Sequence, residues 1–464
     1  MSDDRSRPQV GGAGQARRGP AGRRGSLRGG RFRYWLMPGI GVKRWLGLVL
    51  LGELALALAG TFVLKQVYRD IVVPGPLEGP VYVLTLQFLP YAARAVPLLV
   101  VGIGLFLLAL VKLARTLLLP FGEPSGPLVE VIYQKRYLAR GPRVVAIGGG
   151  TGLSALLRGL KEHTSNITAV VTVADDGGSS GKLRTELGIA PMGDIRNCIA
   201  ALADTEPLMT RLLQYRFPED EAPGPGLGGH AFGNLLIAAL SAIEGDFEEG
   251  VRQSNRVLAV RGQVLPVAPE PLTLHARLFD GREIHGQSTI ARATGIDRVW
   301  VTPDDVSATA EVVEAIAEAD LVVLGPGSLY TSLLPSLLIP QVRDAIASSR
   351  GLRCYVCNVA TQVGETEGFG LAAHLAAIEA HAGMLVDVVL VNDNYSARRA
   401  DGDRSEPVRI DWTPSPGGPE LVRRAVVDVS NAHRHDSALL AAAVVGVYQE
   451  RGRPRPALSV ASSA

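Results

Sequence analysis

The sequence predicts an α/β fold built on a parallel sheet, with a small β-insertion, and with two hydrophobic helices ahead of it. Three observations carry this. Two long apolar runs, Trp45–Leu64 and Val96–Val111, come first. From Arg143 onward, short apolar runs alternate with segments of helical spacing. Between Val264 and Thr302 the pattern changes to residue-by-residue alternation around an Asp280-Gly281 turn, the signature of a hairpin.

In chain order, residues 1–45 hold eleven Lys/Arg against two Asp, among many Gly and Pro. Residues 1–44 therefore read as a disordered basic arm, too poor in apolar surface to fold and suited to anionic lipid. Residues 45–119 read as two transmembrane helices joined by a short external loop, since about twenty apolar residues span a bilayer core. Basic residues before the first run, with Lys112 and Arg115 after the second, place both termini and the main domain in the cytoplasm, beneath the plasma membrane. The small residues of "ALALAG" offer a cleaved signal peptide as the rival; the long arm and the second run weigh against it. Glu53 is awkward in lipid, where a charge costs roughly 2.5–3.5 kcal/mol, so it calls for an ion pair, protonation or a tilt.

After a linker at 120–142, the α/β domain is expected over 143–450 and a polar, disordered tail over 451–464. "RVVAI" (Arg143 to Ile147), the helical "LSALLRGLKEH" and "ITAVVTVA" (Ile167 to Ala174) make a βαβ unit, which implies parallel strands. "LVVLG", "RCYVCNV" and "VDVVLVN" repeat the strand theme, with "AEVVEAIAEA" and "AAHLAAIEAHAG" between them. No internal repeat is present. Cys354 and Cys357 form a C-x-x-C inside an apolar strand, where positions i and i+3 diverge, so they read as structural thiols.

The chemistry-bearing residues lie in Gly-rich turns after strands. "IGGGTGLSA" (Gly148, Gly149, Gly150, Thr151, Gly152) fits the dinucleotide fingerprint in its G/A variant. Glycines let backbone approach a ligand, and a helix N-terminus offers N–H donors to phosphate. "VTVADDGGSSGKLR" is no P-loop, because Asp176 and Leu183 stand at two required positions. Its Gly177, Gly178, Ser179 and Ser180 suit an anion, whereas Asp175 and Asp176 suit sugar hydroxyls or a divalent cation. Three further islands follow: "MGDIRNC" with Asp194, Arg196 and Asn197; "GGHAFGNLL" with His230 and Asn234; and "LGPGSLYTSLLP" with Gly325, Gly327, Ser328 and Tyr330. Each could instead be a capped turn holding nothing.

Together "IGGGTGLS", "TVADDGGSSGKLR", "GDIRNCIAALAD", "GHAFGNLLIAAL" and "GPGSLYTSLLPSL" resemble the gluconeogenesis factor (YvcK-like) family. That family is the bacterial branch of the superfamily of the 2-phospho-L-lactate transferase CofD. The resemblance runs from about Arg143 to Gln449 and includes "NVATQVGETEGF" and "HDSALLAAAV"; Val363 departs from the usual Pro. It implies a Rossmann-like fold and a UDP-sugar-binding regulator that links carbon metabolism to cell-wall precursor supply and cell shape.

The expectation is thus a membrane-tethered cytoplasmic protein that binds a UDP-sugar such as UDP-N-acetylglucosamine. Gly148–Gly152 and Gly177–Ser180 would cradle the diphosphate, and Asn197, His230 and Asn234 would line the site. Mg2+ held by Asp175 and Asp176 is the one cofactor considered. No specific nucleic acid is expected, and a homo-oligomer is compatible. No pairing of nucleophile and base demands catalysis. The alternative is a phospholactyl-type transferase with a GDP-linked donor and a deazaflavin acceptor; aromatics at 5% give a flat acceptor little to stack on. An NAD-dependent oxidoreductase would rest on the first fingerprint alone, and a membrane adaptor would bind no ligand.

Overall fold

The computed structural model describes residues 42–67, 90–118, 138–203, 207–219, 227–399 and 402–451. The expected tail from 452, nearly all of the basic arm, the connection at 68–89 and most of the linker lie outside these residues. The chain divides into two compact units, residues 1–128 and 129–464.

Among its described residues the first unit holds two helices, α1 (Val42–Val67) and α2 (Tyr91–Leu118), packed on one another. Gly52 and Gly102 allow the close approach: a Cβ on Gly52 would sit 3.3 Å from the Gly102 carbonyl. Among the described residues no helix is long and apolar enough to cross a membrane. The expected transmembrane hairpin is therefore corrected to a packed pair of helices. Glu53 splits the first apolar stretch into runs of eight and eleven residues. The second, between Arg94 and Lys112, is seventeen residues long and contains Pro97. All fall short of the roughly twenty that a span needs.

The second unit is organised by a seven-stranded sheet of β1 (Val144–Gly148), β2 (Ile167–Val171), β3 (Gln263–Pro266), β7 (Leu321–Leu324), β8 (Leu352–Val356), β9 (Val388–Asn392) and β10 (Glu420–Arg424). Its order is β10-β9-β8-β7-β1-β2-β3, and every pairing is parallel. β1, β7 and β9 are buried throughout, as strands covered on both faces must be, which explains why they read as unbroken apolar runs. Helix α3 (Gly150–Leu160) covers one face with Leu153, Leu156, Leu157 and Leu160, spaced i, i+3, i+4 and i+7. It begins three residues earlier than its leucine pattern suggests, inside the Gly-rich turn.

The β-insertion is smaller than expected. Val264–Pro266 belongs to the edge strand of the main sheet, paired with β2. The insertion proper is the antiparallel sheet β5-β4-β6, built from β4 (Thr273–Leu278), β5 (Glu283–His285) and β6 (Ile296–Thr302). The Asp280-Gly281 turn does join β4 to β5. A small hairpin, β11 (Val427–Asp428) with β12 (Asn431–His435), leads into the last helix, Ser437–Arg451. The sequence reading did not mark β10, because "ELVRR" is an edge strand that buries only Val422. Cys198, Cys354 and Cys357 are free and buried, and desolvation pushes the Cys354 and Cys357 thiols up to about 12.

The last helix packs on α3 where Gly159 leaves no room for a side chain. A Cβ there would collide with the Ser437 carbonyl and lie 2.6 Å from Ala441 Cβ. Gly159→Ala is expected to cost about 1–3 kcal/mol through overpacking. Urea denaturation measures this; an unchanged midpoint would contradict the packing described.

Candidate functional site

After β1 the chain builds outward through β2 to β3; after β7 it builds the other way through β8 and β9 to β10. β1 and β7 are adjacent, so the strand order reverses between them. In an open α/β sheet this reversal opens a crevice at the carboxyl ends of the strands. Two Gly-rich turns meet there. One is Gly148–Gly152, where Gly150 has φ +66° and opens α3. The other follows β7, where Gly325 has φ +77°.

The turns touch backbone to backbone. A Cβ on Gly152 would stand 2.9 Å from the Pro326 carbonyl carbon and oxygen, and one on Gly327 would stand 3.0 Å from the Gly149 oxygen. Asn358, just beyond β8, clamps the second turn from both sides. Its Nδ2 donates to the Gly327 oxygen at 2.9 Å, and its Oδ1 accepts from the Gly327 N–H at 3.2 Å.

A cleft of about 970 Å³ lies over these turns. Of the predicted site residues it is lined by Gly149, Gly150, Thr151, Gly152, Asn197, Gly327 and Ser328. Its remaining walls come from segments that the sequence reading left unassigned. Arg158 reaches it from α3, Gln362 and Asn358 from the loop after β8, and Asp403, His433 and Arg434 from the C-terminal part of the domain. His433 Nε2 lies 2.6 Å from Asp403 Oδ2, and Gln362 Nε2 donates to Ser328 Oγ at 2.8 Å. A signal was present in "NVATQVGETEGF" and in the polar "NAHRHD" before the last helix, but nothing in either fixes which way its side chains face.

Gly148, Asp175 to Ser180, Asp194, Arg196, His230, Asn234, Gly325 and Tyr330 do not line this cleft. Asp175 accepts from the Gly177 N–H at 2.9 Å; burial raises its carboxyl above the usual range against that bond and one from Ser180. Asp194 is pushed up to about 6 by burial and by the Asp175 charge, although the Gly150 N–H bonds to it. Arg196 is lowered by burial and by Arg216, its Nη2 donates to Asn197 Oδ1 at 3.0 Å, and its Nε has no hydrogen-bond partner among the described residues.

Asp176 turns the other way. Its Oδ1 accepts from the Ser288 N–H at 2.8 Å and the Ser288 hydroxyl at 2.7 Å, which ties the turn to the β-insertion. The two acids therefore do not converge as a metal site, and among the described residues no group of three His, Cys, Asp or Glu could hold a metal ion. Ser179, His230 and Asn234 do come together, but inward. Ser179 Oγ is 3.2 Å from His230 Nδ1 and accepts from Asn234 Nδ2 at 3.1 Å, with His230 only 3% and Asn234 1% exposed. They lock the start of helix Gly178–Leu187 to the start of helix Phe232–Glu244 and present little to a ligand.

The second Gly-rich turn differs from the first in one decisive way. The N–H groups of Tyr330 and Thr331, which open the turn of helix Leu329–Leu333, donate to Glu365 Oε1 at 2.6 and 3.1 Å. The chain thus supplies its own acid where a phosphate would sit. Tyr330 itself is buried against Phe369 and His381, its phenol pushed up to about 12 by burial. The first turn keeps more of its donors: Asp194 takes the Gly150 N–H, and those of Thr151 and Gly152, in the first turn of α3, have no intrahelical partner.

A family model described as 2-phospho-L-lactate transferase CofD matches residues 144–427. A putative gluconeogenesis factor of a Nostoc species is 46% identical over 405 residues, covering 81% of this chain and 83% of that one. The gluconeogenesis factor of Bacillus subtilis is 44% identical, over 67% of this chain and 99% of its own. A similar crystal structure, of a Bacillus halodurans protein, has a TM-score of 0.60 at 43% identity and is covered completely by 66% of this chain.

Glu365 also yields a pH dependence. Burial raises its carboxyl from 4.5 to about 7 despite the N–H bonds it accepts. The unfolded chain thus loses this proton at lower pH than the folded one. Stability attributable to Glu365 is full below about pH 4.5 and falls as pH rises to about 7. Stability measured against Glu365→Gln should decline across that window by up to about 1.4 kcal/mol per pH unit. A difference independent of pH would show that the carboxyl titrates normally.

Proposed function

The chain belongs to the CofD family, in its gluconeogenesis factor branch, and on that footing we propose that it is a UDP-sugar-binding regulator. One observation carries the reading: the switch-point cleft pairs a helix N-terminus with two cations across a volume suited to a nucleotide sugar. At the N-terminus of α3 Asp194 takes the Gly150 N–H and leaves those of Thr151 and Gly152 for a ligand, and Thr151, Gly152, Arg158 and Arg434 line the cleft. About 970 Å³ lies at the upper end of small-molecule sites.

The residues divide the work by chemistry. Backbone N–H groups of Thr151 and Gly152 would hold the diphosphate, aided by the helix dipole and by the two guanidiniums. Asn197, Asn358 and Gln362 would meet the hydroxyls and amide of the sugar. A Mg2+ ion would have to be held largely by the diphosphate and water, since Asp175 and Asp176 diverge. The link to wall-precursor supply and cell shape belongs to the same proposal; it rests on family membership.

The hairpin unit enters as a membrane attachment at the cytoplasmic face. Leu50, Leu51, Leu54, Val100, Leu107 and Leu110 are exposed on its outer surfaces, and a large exposed apolar surface favours contact with lipid.

Calorimetric titration of the full chain tests the ligand. UDP-N-acetylglucosamine should bind saturably, and GDP and NAD should bind weakly or not at all. Gly152→Val should abolish binding by filling the floor, and Arg434→Ala should weaken it by about tenfold or more. Tighter binding of GDP would favour transferase chemistry and overturn this reading. For the hairpin, the chain should sediment with cell membranes and resist alkaline carbonate. Recovery wholly in the supernatant would refute attachment.

A further inference from the structure

A second pocket, of about 600 Å³, lies on the same carboxyl edge of the sheet, beyond the ends of β9 and β10. Three arginines line it. Arg399 comes from the loop after β9, Arg409 from the return segment and Arg423 from the end of β10. Asp393 and Glu406 stand among them, with the exposed ring of Tyr395. Arg423 has no side-chain hydrogen bond or ion pair among the described residues, and Arg409 reaches only the Gly368 carbonyl, at 3.2 Å. Nothing in the proposed function uses these residues.

The composition selects a ligand. Three guanidiniums suit a phosphate, which they can grip through paired N–H groups. Two carboxylates among them would repel a bare anion but accept bonds from hydroxyls. An aromatic ring at the rim offers a face to an apolar sugar surface. We infer that this pocket is a second binding site, for a sugar phosphate, and that it is coupled to the switch-point cleft.

The coupling follows from two shared connections. Arg399 Nε lies 3.8 Å from Asp403 Oδ2, the same oxygen that meets His433 Nε2 at 2.6 Å. Asp403 and His433 line the first cleft, and Arg399 lines the second. A phosphate that draws Arg399 away leaves Asp403 Oδ2 with His433 and alters the charge facing the first cleft, while Oδ1 keeps its bonds from Ser405. The second connection is rigid. Thr361, which lines the first cleft, donates its N–H to the Glu406 oxygen at 2.7 Å, and the Glu406 N–H donates to Thr361 Oγ1 at 2.9 Å. A shift of the Glu406 segment thus moves the wall that carries Asn358 and Gln362.

The test is calorimetry on the full chain with glucose 6-phosphate, inorganic phosphate and glucose. Glucose 6-phosphate should bind saturably and more tightly than either control. Arg423→Ala, an exposed change whose fold circular dichroism can verify, should weaken it about tenfold or more. Arg434→Ala, an exposed change confined to the first cleft, should leave it unchanged. This arm stands even if the first cleft takes another ligand. Absence of binding, binding no tighter than phosphate, or loss in Arg434→Ala with retention in Arg423→Ala would each overturn the site. With glucose 6-phosphate saturating, affinity for UDP-N-acetylglucosamine should change about fivefold, and the reverse titration should give the same factor. Equal affinities in both would overturn the coupling.

Discussion

The site depends on one contact, the backbone-to-backbone approach of the turns after β1 and β7. Gly152 lies against the Pro326 carbonyl and Gly327 against the Gly149 oxygen, with no space for a Cβ at either place. Only glycine allows this, and a parallel sheet that reverses its order between those two strands brings the turns together. Asn358 then grips Gly327 by both its donor and its acceptor. The floor is therefore rigid before any ligand arrives, which lowers the ordering cost of binding.

The two turns look alike in sequence and differ in chemistry. At the second, Glu365 occupies the N–H groups of Tyr330 and Thr331, so a buried acid already stands where an anion would bind. At the first, Asp194 takes the Gly150 N–H alone, and the N–H groups of Thr151 and Gly152, residues that line the cleft, have no intrahelical partner. The acidic pair and the Ser179–His230–Asn234 group brace this arrangement from outside the cleft. Asp176 holds the β-insertion through Ser288, and Ser179 joins the loop after β2 to the start of helix Phe232–Glu244. They form its frame.

Much of the fold was legible in the sequence. Strands buried on both faces wrote themselves as apolar runs, α3 as a leucine stripe, and the Asp280-Gly281 hairpin as alternation. The edge strands were not: β10 buries one residue, and β3 looked continuous with the insertion because both follow the same helix-rich stretch. In the site, glycines announced the floor, since few other roles demand them at the end of a strand. The walls were hidden because Arg158, Asp403, His433 and Arg434 are ordinary polar residues until the fold collects them. The paired aspartates misled for a related reason. Adjacent residues diverge, and one carboxylate turned toward the insertion.

The most direct test of the central claim is a crystal structure of the full chain with UDP-N-acetylglucosamine bound. The account predicts the diphosphate against the N–H groups of Thr151 and Gly152, with Arg158 and Arg434 on its flanks. A diphosphate seated at Tyr330 and Thr331 with Glu365 displaced, or against Gly177–Ser180, would contradict it.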